Sequence, residues 1–451
     1  MKLNHVRAAL CLSLLVALAL NAAAQDLAPK FDEYLNALTR QNRFSGAVLV
    51  AREGKVVFSK GYGTANYDHD IANTPQTKFR IGSVTKQFTA AATLLLQERG
   101  KLNVQDSVCK FVDNCPDAWK EITVHHLLTH TSGIPSFTNM PEYAKTHTQP
   151  TTMTELLARF KDKPLEFKPG EKFKYNNSGY VLLGHLVEKI SGQTYERFLQ
   201  ENIFAPLKMM ATGYDLDARV IKGRATGYSA LGEKVVVAPF VHMSIPHGAG
   251  ALYSTVEDLF TWNEALYHDK LLASASRAAM MTVFKDGYAY GLAVNEKFKR
   301  QQVAHGGGIE GFTCMLSRFP AEKLTVVVLR NVDAVQPPPG KVAEDLAAIA
   351  LGEKYEVARE RTAIKVEAKV LESYVGAYEL TPDFILTITR EGEQLYAQAT
   401  GQPRFELYAE SETKFFLKVV DAQATFVRNE QGQVTQMILH QGGDKYAKKI
   451  K

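Results

Sequence analysis

The chain has 451 residues, 45% of them hydrophobic and 22% charged, an ordinary globular composition. That length suits two to three domains, allowing that one large enzyme domain can absorb most of it. A formal net charge of +5 is mild, and no dense Lys/Arg run carries interleaved aromatics, which argues against nucleic acid as a partner.

The N-terminus reads as a secretory leader. Lys2 and Arg7 supply positive charge, Ala8 to Leu20 is almost wholly apolar, and Ala22, Ala23 and Ala24 offer small residues for cleavage. The apolar run is shorter than the roughly 18 residues a bilayer crossing needs, and no later stretch reaches that length. The expectation is a signal peptide over 1–24 and a mature chain without a membrane span, periplasmic or secreted. Phe31 to Gln41 then has helical spacing of apolar residues. Gly46–Ala51 and Lys55–Phe58 flank Glu53-Gly54 as a β-hairpin. From Thr85 to Arg99, Phe88, Ala91, Ala92 and Leu95 recur at three and four, and Gly100 stops the helix. Cys109 and Cys115 lie six apart in a loop, and in an oxidising compartment they are expected to pair; Cys314 has no obvious mate and reads as core. Helical patterns follow at Thr154–Phe160, Tyr180–Ile190 and Thr255–Tyr267, and strands return at Phe312–Phe319 and Leu324–Leu329. Strands first, helices inserted and strands last predict one sheet with helices packed on it. A helix over Val342–Leu351 and a charged linker, 353–369, precede short β-rich runs: Tyr374–Tyr378, Phe384–Thr389, Gln394–Ala399, Phe405–Tyr408, Lys414–Val420, Ala424–Arg428 and Val434–Leu439. That rhythm predicts a small antiparallel barrel or sandwich over 370–451.

Three short motifs carry chemistry. Ser83-Val-Thr-Lys86 opens the second helix, and residues i and i+3 share a face, so hydroxyl and amine project together. A serine hydroxyl needs a neighbouring base, and a desolvated lysine can serve because burial lowers its pKa. Tyr175-Asn176-Asn177 offers a phenol to relay a proton and an amide to bind a carbonyl. His305-Gly306-Gly307-Gly308 lies just before the strand at Phe312, where glycines admit substrate backbone and a free N–H can complete an oxyanion hole. His126 and His130 are four apart, but residue 127 is Leu rather than the Glu of a zinc protease, so capping and packing are the better reading and no metal is expected. Gly-x-Ser-x-Gly is absent.

Together these blocks resemble the class C β-lactamase and penicillin-recognising serine hydrolase family, whose relatives include D-aminopeptidases, DD-carboxypeptidases and family VIII esterases. The run Val124–Gly133, Pro169-Gly170, Gly179–Gly184 and Gly248–Thr255 are similar to its recurring text, over roughly residues 30 to 352. The resemblance implies an α+β DD-peptidase/β-lactamase-like transpeptidase fold: an antiparallel sheet flanked by helices over 27–352, and a small lipocalin-like β-barrel after it. It implies Ser83 as acylated nucleophile, Lys86 as base, Tyr175 as proton relay and Asn177 as carbonyl ligand. Backbone N–H groups of Ser83 and Gly308 would form the oxyanion hole beside Gly307, with no cofactor. The substrate would be a small molecule or peptide, cell-wall peptides included; a penicillin-binding scaffold is the rival. β-Lactamases usually have lysine where this chain has His305, which weakens the case for β-lactams. Glu310 stands where relatives often have proline, and Ser136–Thr152 is a candidate rim.

Overall fold

A computed structural model describes residues 27–231, 234–358, 361–418, 420, 422–441 and 443–450; the leader expected over 1–24 lies outside them. The fold is α+β. Its main sheet takes β1 (Gly46–Arg52), β2 (Lys55–Tyr62), β3 (Ala293–Lys297), β4 (Arg300–Ile309), β5 (Phe312–Phe319) and β6 (Leu324–Arg330), in the order β3-β4-β5-β6-β1-β2. Every pairing is antiparallel, and Gly46 opposite Arg330 joins the two ends of this region, as the strand–helix–strand order predicts.

Side-chain alternation explains why β1 reads as an unbroken apolar run. Val48 and Val50 pack with Val326 and Val328 against Phe31, Tyr34 and Leu35 of helix α1 (27–40) and Leu346 and Ala347 of a late helix, Pro339–Leu351. Ala47, Leu49, Val327 and Leu329 face the other way, into a larger core. That core holds α2 (Thr85–Glu98), α3 (Asn177–Ser191) and α4 (Val256–Tyr267). With both faces covered, alternation in polarity disappears. In α2 every residue from Thr85 to Leu96 is buried, Phe88 stacking on Trp262 of α4 at 4.2 Å. Ring burial of this kind contributes about 2–3 kcal/mol per side chain. Helix α2 is therefore a central rod rather than a surface element.

The sequence reading places Ser83 at the start of α2; it sits one step earlier, in a 3₁₀ turn, Gly82–Val84. The His305–Gly308 stretch, read only as lying just before the strand at Phe312, is itself the end of β4. Glycine weakens intrinsic strand preference, and here pairing with Cys314 and Met315 of β5 overrides it.

The C-terminal strands close into an eight-stranded antiparallel barrel, from Gly376–Thr381 round to Asp444–Lys449. Closure comes from Tyr378 and Glu379 pairing with Lys449 and Lys448. The final strand escapes sequence reading because Lys445, Tyr446 and Lys448 are exposed and only Ala447 is fully buried. Side chains fill the interior, Tyr374 stacking on Phe426 at 4.2 Å.

Cys109 and Cys115 form a disulfide, and Cys314 is a buried free thiol. So short a cross-linked loop stabilises by about 2 kcal/mol through the unfolded chain. A Cys109→Ser/Cys115→Ser double variant should lose about that much in urea unfolding and retain its fold by circular dichroism.

Candidate active site

Lys86 enters the core from the first turn of α2 and is 0% exposed. Its Nζ donates to Asn177 Oδ1 at 2.8 Å and to the Ala249 carbonyl at 2.9 Å, and lies 3.0 Å from Ser83 Oγ. Among the described residues no carboxylate pairs with it. Desolvation without a counter-charge favours the neutral amine, so its pKa is held well below the usual lysine range. A neutral amine has two N–H donors and one lone pair. With the donors taken by Asn177 and Ala249, the lone pair is left toward the Ser83 hydroxyl.

Each partner is fixed by its own element. Asn177 is the first residue of α3; its backbone N–H donates to Ser136 Oγ at 3.1 Å and its Nδ2 to Thr138 Oγ1 at 3.0 Å. Asn176 caps the same helix, its side chain accepting from the Gly179 N–H at 2.9 Å. The Ala249 segment is tied to α2 through Thr89 Oγ1, which donates to the Gly248 carbonyl at 2.6 Å. The Tyr175 ring lies 4.8 Å from Lys86 Nζ. Tyr175 keeps 37% of its surface exposed. Desolvation still pushes its phenol above the ordinary tyrosine range, with the Ser83 hydroxyl pulling the other way.

Backbone crowding joins the Ser83 turn to β4. A Cβ on Gly82 would stand 2.8 Å from Gly308 N, and one on Gly307 only 2.1 Å from the Ile81 carbonyl. No side chain fits at either position. The approach sets the backbones of Ser83 and Gly308 side by side, while a Cβ on Gly308 would meet nothing within 4 Å. That open side is a cleft of about 430 Å³, bordered by Ser83, Asn177, Phe137, Tyr143, Ile309 and Glu310 among others. The predicted rim, Ser136–Thr152, thus supplies Phe137, Thr138 and Tyr143.

His305 is only 7% exposed, and both ring nitrogens are engaged. Nδ1 lies 2.6 Å from the Gly306 carbonyl, so it carries the proton, and Nε2 accepts from Tyr288 O–H at 2.9 Å. Burial pushes its pKa down to about 4, and any proton on the nearby Lys86 amine would add to that shift. His126 serves the N-terminus of a short helix, its Nδ1 accepting from the Thr123 N–H at 3.2 Å. His130 is 1% exposed, accepts from the Asn176 N–H and packs 4.4 Å from the Tyr175 ring. Its Nε2 finds no partner among the described residues. The sequence reading passes over Ala249, whose contribution is a backbone carbonyl without side-chain signature, and Tyr288, which sits in no recognisable motif. The Gly248–Thr255 block was the available pointer to the first.

The family profile described as Beta-lactamase matches residues 27–351. The chain belongs to the β-lactamase family. A domain of unknown function, DUF3471, matches 360–448, over the barrel strands. Penicillin-binding protein 4* of Bacillus subtilis (strain 168) is 29% identical over 445 residues, covering 92% of this chain and 97% of that protein. Among solved structures, the octameric penicillin-binding protein homologue from Pyrococcus abyssi is 27% identical with a TM-score of 0.66, covering 93% of this chain and 99% of that one. A D-stereospecific amidohydrolase from Streptomyces sp. is 25% identical with a TM-score of 0.59, over 71% of this chain and 99% of its own. These are β-lactamase-like serine hydrolases and penicillin-binding proteins, and the fold is theirs. Among the described residues no helix is long and apolar enough to cross a membrane.

The His305 environment gives a direct expectation. An unperturbed imidazole loses its charge near pH 6.5, but here the neutral form is favoured down to about pH 4. Between those values the unfolded chain takes up a proton that the folded chain refuses, so stability falls as pH falls. NMR of ring-labelled histidine should show His305 unchanged from pH 8 to pH 5.5. A midpoint near 6.5 would contradict the assigned hydrogen bonds.

Proposed function

We propose that this protein hydrolyses an amide or ester bond through an acyl-enzyme on Ser83, as a β-lactamase-related peptidase, carboxypeptidase or esterase. The observation that carries the reading is the fully buried Lys86 amine, 3.0 Å from Ser83 Oγ, with no carboxylate pairing with it among the described residues. In this mechanism Ser83 Oγ attacks the substrate carbonyl carbon while its proton passes to the Lys86 lone pair. Negative charge gathers on the former carbonyl oxygen, held by the backbone N–H groups of Ser83 and Gly308, with Asn177 and Gly307 shaping the seat. The tetrahedral species collapses, and the departing nitrogen or oxygen takes a proton relayed through Tyr175. Water, deprotonated by the same pair, then attacks the acyl ester and frees Ser83. Because the amine and phenol titrate together, the resting base is a property of the pair.

Residues 27–352 would form the hydrolase domain, 353–369 a linker and 370–451 a separate barrel that carries none of the three motifs. The positive, apolar and small-residue segments before Gln25 support export to the periplasm or beyond. The B. subtilis and Streptomyces relatives, by their names, bind penicillin and hydrolyse D-stereospecific amides. Both activities are consistent with an acyl-serine.

Ser83→Ala should abolish labelling by a fluorophosphonate, read by intact mass, and turnover of p-nitrophenyl butyrate. Lys86→Ala and Tyr175→Phe should each cost at least about 100-fold in kcat/KM, the usual scale for acid–base groups. Undiminished labelling or turnover in Ser83→Ala would overturn the mechanism. The pH profile has a definite sign as well. A base must be unprotonated, so kcat/KM should rise with pH through the Lys86 pKa. Burial moves that limb below the ordinary lysine value of about 10.4.

A further inference from the structure

The cleft beside Ser83 has a one-sided charge. Its charged lining residues are Glu310 and Asp333, with no lysine or arginine on its walls among the described residues. Asp333 is already employed, since its Oδ2 accepts from the Gly311 N–H at 2.7 Å and so holds the β4–β5 turn in place. Glu310 is the residue before Gly311, on that pinned turn, and among the described residues it makes no hydrogen bond or ion pair. It faces the Tyr143 phenol across the cleft, whose pKa burial and then the Glu310 charge push up to about 12. Apolar walls complete the seat: Phe137, Val241, Ile245, Ile309 and Phe312. Earlier on the same strand, the His305 imidazole has its ring N–H on the Gly306 carbonyl and its lone pair on Tyr288.

An anionic substrate would therefore meet a carboxylate and no fixed cation, whereas a protonated amine would meet an unpartnered carboxylate in a half-enclosed, apolar site. We propose that Glu310 is a specificity-determining residue, selecting substrates with a protonated amine near the scissile bond over those with a carboxylate there. The proposal rests on the reading of Ser83 as the acylated nucleophile. Charge-assisted hydrogen bonds of this type are roughly twice as strong as neutral ones, and loss of the pair corresponds to about 10- to 100-fold in affinity for the transition state.

The test uses the full-length chain and matched pairs of substrates. Alanine p-nitroanilide, propionyl p-nitroanilide and succinyl p-nitroanilide place an amine, nothing, or a carboxylate in the acyl part. The butyrate esters of ethanolamine and propanol do the same for the leaving group. In at least one series the amine-to-neutral ratio of kcat/KM should be about 10 or more in the wild type. It should fall at least about 10-fold in Glu310→Gln, survive in Glu310→Asp, and shrink as ionic strength rises. Glu310→Lys should turn the preference toward the succinyl substrate. Ratios unmoved by Glu310→Gln in both series would overturn the proposal. Failure of the mechanism itself shows separately, as absence of Ser83 labelling by a neutral fluorophosphonate. In that event calorimetric binding of alaninamide against propionamide, in wild type and Glu310→Gln, decides the charge preference by the same ratio.

Discussion

An uncharged-leaning amine held in the middle of a protein is the constraint on which the rest of this structure depends. Lys86 has lost its water and gained no counter-ion. Burying a charged ammonium without a partner costs several kcal/mol, and relief comes by shedding the proton. Two oxygens then fix where the amine points, and they come from segments 91 and 163 residues away in sequence. That arrangement stands only while α2, α3 and the short 247–250 helix stay packed, and α2 lies at the centre of the core.

The same economy governs the strand opposite. Bringing β4 against the Ser83 turn requires backbone-to-backbone contact, which side chains at positions 82 and 307 would forbid. The approach leaves Gly308 facing open cleft, a backbone donor beside Ser83 rather than a side chain. It also carries His305 inward, where Tyr288 and the Gly306 carbonyl satisfy the ring internally. The site therefore has a buried amine whose charged form is disfavoured, an imidazole with both ring nitrogens engaged, and carboxylates on its walls. Those electrostatics belong to the whole pocket and follow from its packing.

Much of this was legible in the chain. The apolar runs of β1, β5 and β6 and the period of α2 and α3 mark the sheet and its helices, because both faces of those strands and α2 from Thr85 to Leu96 are buried. Of the residues the three motifs mark, Ser83, Asn177 and Gly308 line the cleft, and Lys86, Tyr175, His305 and Gly307 pack behind them. What stayed hidden was tertiary in origin. The glycines of β4 gave no strand signal because their conformation is set by pairing with Cys314 and Met315. The barrel's last strand is masked by lysines on its outer face. Ala249 acts through a carbonyl, and Tyr288 through a hydroxyl that only folding brings to His305.

The most direct measurement is the protonation state of Lys86 itself. Selective ¹⁵Nζ labelling of lysine, assigned by comparison with Lys86→Met, would report its titration from pH 6 to pH 11 in the resting protein. The account predicts a midpoint displaced well below the ordinary lysine range, moving in step with loss of the acid limb of activity. A Lys86 signal that stays charged up to pH 10 or above would contradict it, because an ammonium has no lone pair to offer Ser83.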